Sequence, residues 1–358
     1  MSVLQKKINK TDLRLYAYIG FVFVFFLVIG IRAVKGEIDF ECFADSETYI
    51  EIAEMDWSLE EILLLNSNLL GPVVILRLLG SSYIAVFIIN IMITLFMYKT
   101  MVKHYNLNRS ILFIFLLISP IFFSSMLFIN KEIIALLSIT LLFLYIKKKN
   151  LIYLILALIV ALIVRWQMAL FVVLIALVLG KVNPLKNYKL ASMLIFLLGV
   201  SIMYYLNQDQ FHEVNNVLSK SEEQDKSGRS GLFYVLVRIQ NASPIGYFLM
   251  FVPKALHLFV GMVSKYYKFF DFKNMYNNMF ICGQAFVQLI LIFRVFQQRI
   301  KLSNVFLFAA ILYAVVFALT PIYSPRYFFP CYVMMAMALA VPKNNDADIG
   351  DGNVIEKR

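Results

Sequence analysis

Five short polar groups interrupt an otherwise apolar chain, and their side chains are chemically complementary. They are Asp45-Ser46-Glu47-Thr48-Tyr49, Asn130-Lys131-Glu132, Arg165-Trp166-Gln167, the pair Arg229 and Arg238, and Pro325-Arg326-Tyr327. A carboxylate such as Asp45, with Glu47 close by, can act as a general base that deprotonates a hydroxyl. Lys131, Arg165 and Arg326 can hold and neutralise a departing phosphate or pyrophosphate. Asp45 and Glu47 also offer the oxygen ligands that suit a divalent ion such as Mg or Mn. Each group has a plainer reading as well. Outer-loop acids, including Glu51, Glu54, Glu60 and Glu61, are ordinary on a solvated face. Lys131 and Glu132 could cap a turn, although snorkelling explains the lysine and not the adjacent glutamate. Arg165-Trp166 and Arg326-Tyr327 could be interfacial anchors.

The elements that position these groups must be membrane helices. Of 358 residues, 61% are apolar and 15% charged, against roughly 45–50% and about 25% in soluble domains. Soluble, disordered, collagen-like and disulfide-scaffold classes are thereby excluded. Apolar runs cover 15–31, 84–98, 111–129, 133–146, 151–164, 168–180, 190–206, 276–293, 305–320 and 327–341. They predict an all-α bundle of about ten spans. Three runs of about 14 residues would be only ~21 Å long, so they should extend through flanking Lys and Asn. Residues 151–180 as one helix would measure about 45 Å, too long for a core of about 30 Å, which predicts a hairpin turning at Arg165-Trp166-Gln167.

The net charge of +11 must be divided by side. Lys6, Lys7, Lys10 and Arg14 place the N-terminus in the cytoplasm. Ten spans bring Lys99/Lys103/Arg109, Lys147–Lys149, Lys181/Lys186/Lys189, Arg294/Arg299/Lys301 and Lys343 with the tail to the same side. Nineteen basic and five acidic residues then lie inside, +14, leaving −3 outside. A complete crossing by 245–263 would move Arg294–Lys301 outside, so that stretch is read as re-entrant or interfacial. Residues 1–342 form one transmembrane domain with outer loops 32–83 and 207–275, and 343–358 form a disordered cytoplasmic tail. The first run is read as a retained span rather than a signal peptide. Cys42, Cys282 and Cys331 are scattered, as are His104, His212 and His257, so neither a disulfide framework nor a His-based metal site is expected. No P-loop, G-x-G-x-x-G or G-x-S-x-G is present,. The five polar groups all fall on the outer side, where they suit transfer of a group from a lipid phosphate to an alcohol. The aromatic residues are read as core or lipid-facing rather than as a nucleic-acid surface.

Asp45-Ser-Glu-Thr-Tyr-Ile-Glu-Ile-Ala-Glu-Met55 resembles the acidic first-loop motif of the GT-C glycosyltransferase superfamily. Leu70-Gly-Pro-Val-Val-Ile-Leu-Arg-Leu-Leu-Gly-Ser81 resembles the Pro-containing juxtamembrane helix that follows it. Lys131-Glu132, Arg165 and the late Pro325-Arg-Tyr-Phe-Phe-Pro330 resemble features of membrane proteins from bacterial polysaccharide gene clusters, including O-antigen and capsule polymerases. The chain departs from many relatives in lacking a soluble C-terminal domain and an evident second acidic motif. The resemblance implies a polyprenyl-phosphate or polyprenyl-diphosphate glycan donor, a glycan acceptor, and transfer at the outer face of the bacterial cytoplasmic membrane. By that analogy Asp45 is the base, and Lys131, Arg165 and Arg326 hold the donor phosphates. Arg229 and Arg238 then cover the glycan, with Glu47, Glu132 and Tyr327 completing the site. Membrane lipids and other polysaccharide-assembly proteins are the implied partners. Three readings compete: a polysaccharide polymerase, a single-sugar transferase, and a transporter or flippase. The last predicts mid-membrane polar residues and inverted repeats, which the sequence lacks.

Overall fold

Side chains at the turns set the helix boundaries in the computed structural model, which describes residues 9–35, 37–38, 44–55, 57–66, 69–180, 188–208, 231–260, 275–319 and 325–342. Ser82 accepts from the Ala85 amide and starts α5 (Tyr83–Tyr105). Asn108 accepts from Ser110 and Ile111 and starts α6 (Arg109–Leu117). Asn130, Asn150 and Asn304 do the same for α8 (Lys131–Lys148), α9 (Leu151–Val164) and α15 (Val305–Phe317). These residues satisfy amides that a helix start would otherwise leave orphaned. Asn106 and Lys149 end α5 and α8 in the left-handed conformation, at φ 53° and 56°.

The other elements, in chain order, are α1 (Lys10–Phe25), which continues through a π turn (Phe26–Gly30) to Val34, then α2 (Ala44–Glu54), α3 (Leu59–Asn66) and α4 (Leu70–Leu78). After α6 come α7 (Pro120–Leu127), then α10 (Trp166–Leu179), α11 (Lys189–Leu206), α12 (Gly231–Asn241), α13 (Gly246–Val260), α14 (Met275–Gln297) and α16 (Phe329–Ala340). Among the described residues every regular element is helical.

Three helices, α8, α15 and α16, are buried on nearly every face and form the core, as all-round apolar helices must. Their neighbours turn apolar side chains outward: Leu151, Ile152, Ile155 and Leu162 on α9, and Phe293 and Phe296 on α14. Exposed apolar area on this scale is compatible with a membrane protein.

Among the described residues, four helices are long and apolar enough to cross a membrane: Lys10–Ala33, Tyr83–Tyr105, Lys189–Leu206 and Phe280–Gln297. The expected single span over 111–129 is instead two helices, α6 and α7, bent by 76°. Ser119 caps α7 and Pro120 occupies its first turn, a strong helix-start signal placed inside an apolar run. Counted as one broken span, the pair makes a fifth. Five further apolar helices have only 10–17 residues, so the ten expected crossings are not established by length. Of the three short runs, 133–146 does extend into flanking charges, becoming the 18-residue α8. Helices α9 and α10 stay at 14 residues. The stretch at 245–263, expected to be re-entrant or interfacial, is helical over Gly246–Val260 with Pro253 inside it, and 261–263 lie outside the described residues.

The hairpin expected at 151–180 is present. Arg165 breaks it in an extended conformation, φ −168° and ψ 143°. At the far end Lys149 Nζ donates to the carbonyls of Leu179 and Gly180, at 2.9 and 3.1 Å. The same end of the bundle gathers the described basic clusters. Arg109 pairs with Asp12 at 2.5 Å, Lys99 lies over Tyr16 and Lys147 over Tyr105. Lys189 Nζ reaches the Ser303 carbonyl, and the Asn108 amide donates to Ala340 near the last described residues. The first and last described residues therefore sit at this basic end, opposite Arg165. Cysteines placed at exposed Lys103 and Glu47, in a Cys42→Ser background, should be labelled by an impermeant thiol reagent from opposite sides of the membrane. Labelling of both from one side would contradict the arrangement.

Candidate functional site

At the end opposite the basic clusters, the chain unwinds between α7 and α8 and is pinned by two asparagines. Asn90 Nδ2 donates to the carbonyls of Ser125, Met126 and Phe128. Asn130 Nδ2 donates to those of Ser125 and Phe128, while its Oδ1 accepts from the Ile133 amide. These bonds satisfy buried carbonyls that no helix covers. They also fix where α8 begins, and so where Lys131 and Glu132 stand. The capping role considered for Lys131 and Glu132 belongs to Asn130.

Glu132 and Arg165 are both buried, and their charged atoms lie 3.7 Å apart. The Arg165 guanidinium stacks 4.0 Å from the centroid of the Tyr327 ring, a geometry that an arginine fork favours. Arg326 stands 5.6 Å from the same ring. Tyr313, itself buried and stacked on Phe317 at 4.0 Å, donates its hydroxyl to the Tyr327 carbonyl at 2.9 Å. A narrow cleft is lined by Lys131, Glu132, Arg165, Arg326, Tyr327 and Tyr313. Five of the nine residues singled out in the sequence, from three distant stretches of chain, thus converge.

Among the described residues, three cations and one carboxylate line this cleft, and Lys131 and Arg326 make further contacts of their own. Helices α8, α10 and α16 start there, and α10 and α16 have no side-chain cap. Helices α9 and α15 end there, at Val164 and Phe317. Each helix start contributes about half a positive charge and each end about half a negative one. Three starts and two ends leave the backbone about half a charge positive, the same sign as the side chains. Guanidinium and ammonium groups gathered in this way are chemically suited to planar or tetrahedral oxyanions.

The first-loop helix α2 is held against this cleft. Ser46 Oγ donates to the Ile129 carbonyl at 2.9 Å. Tyr49 is buried, with Lys131 Nζ 5.4 Å from its ring centroid. Arg77 on α4 donates to the carbonyls of Ile52, Ala53, Met55 and Trp57 and so closes the end of α2. Helix α4, the Pro-containing segment, lies against α9 at Gly71, where an added Cβ would meet the Ile163 carbonyl oxygen at 1.9 Å. The backbone of Asp45 is in the first turn of α2, one residue before Ser46, and its side chain lies outside the described residues.

The remaining sequence candidates are not brought into the cleft. Glu47 is exposed, and Arg238 is exposed on α12. Arg229 lies outside the described residues. Glu61 takes a structural role at the start of α3, accepting from the Ser58 amide at 2.6 Å while its own amide donates to Ser58 Oγ. The Ser58 backbone contact holds its carboxyl below the usual range, and the Ser58 side chain adds to this. Among the described residues no group of three or more His, Cys, Asp or Glu could hold a metal ion.

Sequence reasoning missed Lys254. It is fully buried on α13, bonded to Gln240 Oε1 on α12 and 3.4 Å from the Leu319 carbonyl just beyond α15, with the Tyr247 ring 5.9 Å away. A lysine beside a proline within an apolar run was the available signal.

No family model, curated protein or solved structure matches this chain.

Removing either member of the Glu132–Arg165 pair strands its partner in a buried setting, which costs about 3–5 kcal/mol. Glu132→Gln and Arg165→Gln should each lower the denaturation midpoint in detergent, and the double variant should recover about 0.5–3 kcal/mol of coupling. Additive losses would mean that the two charges are independent. Gly71→Val should displace α4 and with it α2, read as faster protease cleavage between residues 44 and 66 than in the wild type.

Proposed function

We propose that this chain is a membrane glycosyltransferase acting on polyprenyl-(di)phosphate-linked glycans at the outer face of the bacterial cytoplasmic membrane. In this reading it is a surface-polysaccharide polymerase of O-antigen or capsule type. The observation that carries the proposal is the convergence of Lys131, Arg165 and Arg326 in one cleft, directly under the helix that bears Asp45. The basic clusters gather at the opposite end of the bundle, which through the positive-inside rule supports the reading of that end as cytoplasmic and of the cleft as extracytoplasmic.

The chemistry follows from the charges. The acceptor hydroxyl oxygen attacks the anomeric carbon of the donor sugar, and its proton passes to the Asp45 carboxylate. The bond between that carbon and the phosphate oxygen breaks, and the phosphate leaves with the electron pair. Lys131 and Arg326 take up the charge that develops on it. Arg165 reaches the phosphate from its stack on Tyr327, with Glu132 fixing the guanidinium plane. Glu132 is therefore a positioning residue rather than a second base. Glu47 faces outward and serves, with Arg238, the more distant parts of the glycan.

Asp45→Asn and Arg326→Ala should each reduce transfer from a lipid-linked donor by about 10²–10³-fold, the scale of losing one preorganised charge. Glu47→Gln should stay within a few-fold of wild type. Transfer assayed on membranes with matched expression checks this, and full activity in the first two variants would sink the assignment. Deleting the gene separates polymerase from single-sugar transferase. Loss of a polymerase leaves one repeat unit on the lipid carrier, whereas loss of a transferase leaves long chains missing one sugar.

A further inference from the structure

A second feature stands apart from the cationic cleft. Helices α13, α14, α15 and α16 enclose an apolar groove of about 510 Å³, within the size range of ligand pockets. Its floor is made of small side chains, Ala310 and Ala314 one turn apart on α15, with Ala255 and Cys331 facing them. Small residues stacked at this spacing leave a channel along the helix axis rather than a filled interface. The channel follows α15 from Leu307 to Ala314, about 10 Å at 1.5 Å per residue, and reaches Phe328 at its upper end.

The rims show which solvent the groove opens to. Val252 and Leu256 on α13 and Phe293 and Phe296 on α14 are 60%, 47%, 64% and 77% exposed. A groove flanked by such residues opens into hydrocarbon, so its occupant is an alkyl chain and not a water-soluble ligand.

The charge shows which end holds the head group. Among the described residues lining the groove, Arg299 alone is charged. It lies at the basic end, in the turn between α14 and α15, close in sequence to Arg294 and Lys301. That turn is fixed there by the Lys189 contact to Ser303 and by Phe306 against Tyr105 and Phe143. Arg299 adopts the left-handed conformation, φ 52°, and is exposed where it lines the groove at the basic end. A basic residue beside an interhelical groove at this level is the arrangement that selects anionic head groups.

We infer that the groove is a binding site for an anionic phospholipid, with one acyl chain along Ala310 and Ala314 and the phosphate at Arg299. The inference does not depend on the transfer activity proposed above. The lipid enters from the leaflet opposite the cationic cleft.

The test uses the full-length protein in liposomes containing phosphatidylglycerol or phosphatidylcholine that carries a photoreactive group on the acyl chain, with labelled residues mapped by mass spectrometry. Phosphatidylglycerol should label Leu256, Ile311 and Met335 about fivefold more than phosphatidylcholine, the ratio expected from one surface cation. Arg299→Asn, which removes the charge and tolerates the positive φ, should abolish that preference while leaving chain labelling in place. Ala314→Phe should lower labelling by both lipids. Equal labelling by the two lipids in the wild type, or a preference that survives Arg299→Asn, overturns the inference. So does competition by polyprenyl phosphate that is lost in Arg326→Ala and retained in Arg299→Asn, because that result assigns the groove to a lipid held from the other end.

Discussion

The buried guanidinium of Arg165 is the constraint around which the rest of this end of the molecule is arranged. An ionised group withdrawn from water must be paired and stacked or it would prevent folding. The pairing with Glu132 fixes the rotation of α8 against the hairpin, and the stack on Tyr327 fixes the segment leading into α16. Arg165 meets both only because its backbone is extended between two helices, which carries its side chain inward while the hairpin reverses. The asparagines that pin the unwound 125–130 carbonyls serve the same end, since Glu132 must stand within reach. Helices α2 and α4 then settle on a platform that already exists, through Ser46, Arg77 and Gly71.

The two ends of the bundle solve different electrostatic problems. At the basic end several lysines lie over aromatic rings or on helix-terminal carbonyls, as Lys147 does on Tyr105 and Lys149 on Leu179 and Gly180. Those contacts use the charge to finish a helix. At the other end, Lys131, Arg165 and Arg326 share one cleft with Glu132. Charge at the first end closes single helices, whereas charge in the cleft ties together segments that are distant in the sequence. This difference separates the two sets more clearly than their number or sign.

The convergent residues were legible for a physical reason. A charge beside an apolar run cannot face lipid, so Lys131, Arg165 and Arg326 had to meet something polar. Loop charges carry no such obligation, and Glu47 and Arg238 accordingly lie exposed. The broken helix at Ser119-Pro120 was signalled locally, but hydropathy summed over 111–129 hid it. Hydropathy also fails to separate lipid-facing helices from helices buried in protein. Helices α15 and α16 are as apolar as the candidate spans yet, like α8, are surrounded by other helices. The groove over Ala310 and Ala314 was invisible because it is defined by what four helices fail to fill. Lys254 was overlooked because its run, 245–263, was weighed for whether it crosses rather than for what it carries.

Lys254 also bears on how the chain is assembled. A lysine in mid-helix costs about 2.5–3.5 kcal/mol when a helix enters the bilayer alone. Helix α13, interrupted by Pro253 as well, is therefore a poor substrate for one-at-a-time insertion. Its ammonium is accepted by Gln240 of α12, and Gly246 lets the intervening turn close so tightly that a Cβ there would strike the carbonyls of Ile239 and Gln240. The carbonyl of Leu319, 65 residues further along the chain, lies 3.4 Å from the same ammonium. The seating of α13 therefore depends on the helix before it and on the end of α15 together, and not on the apolar character of α13 alone.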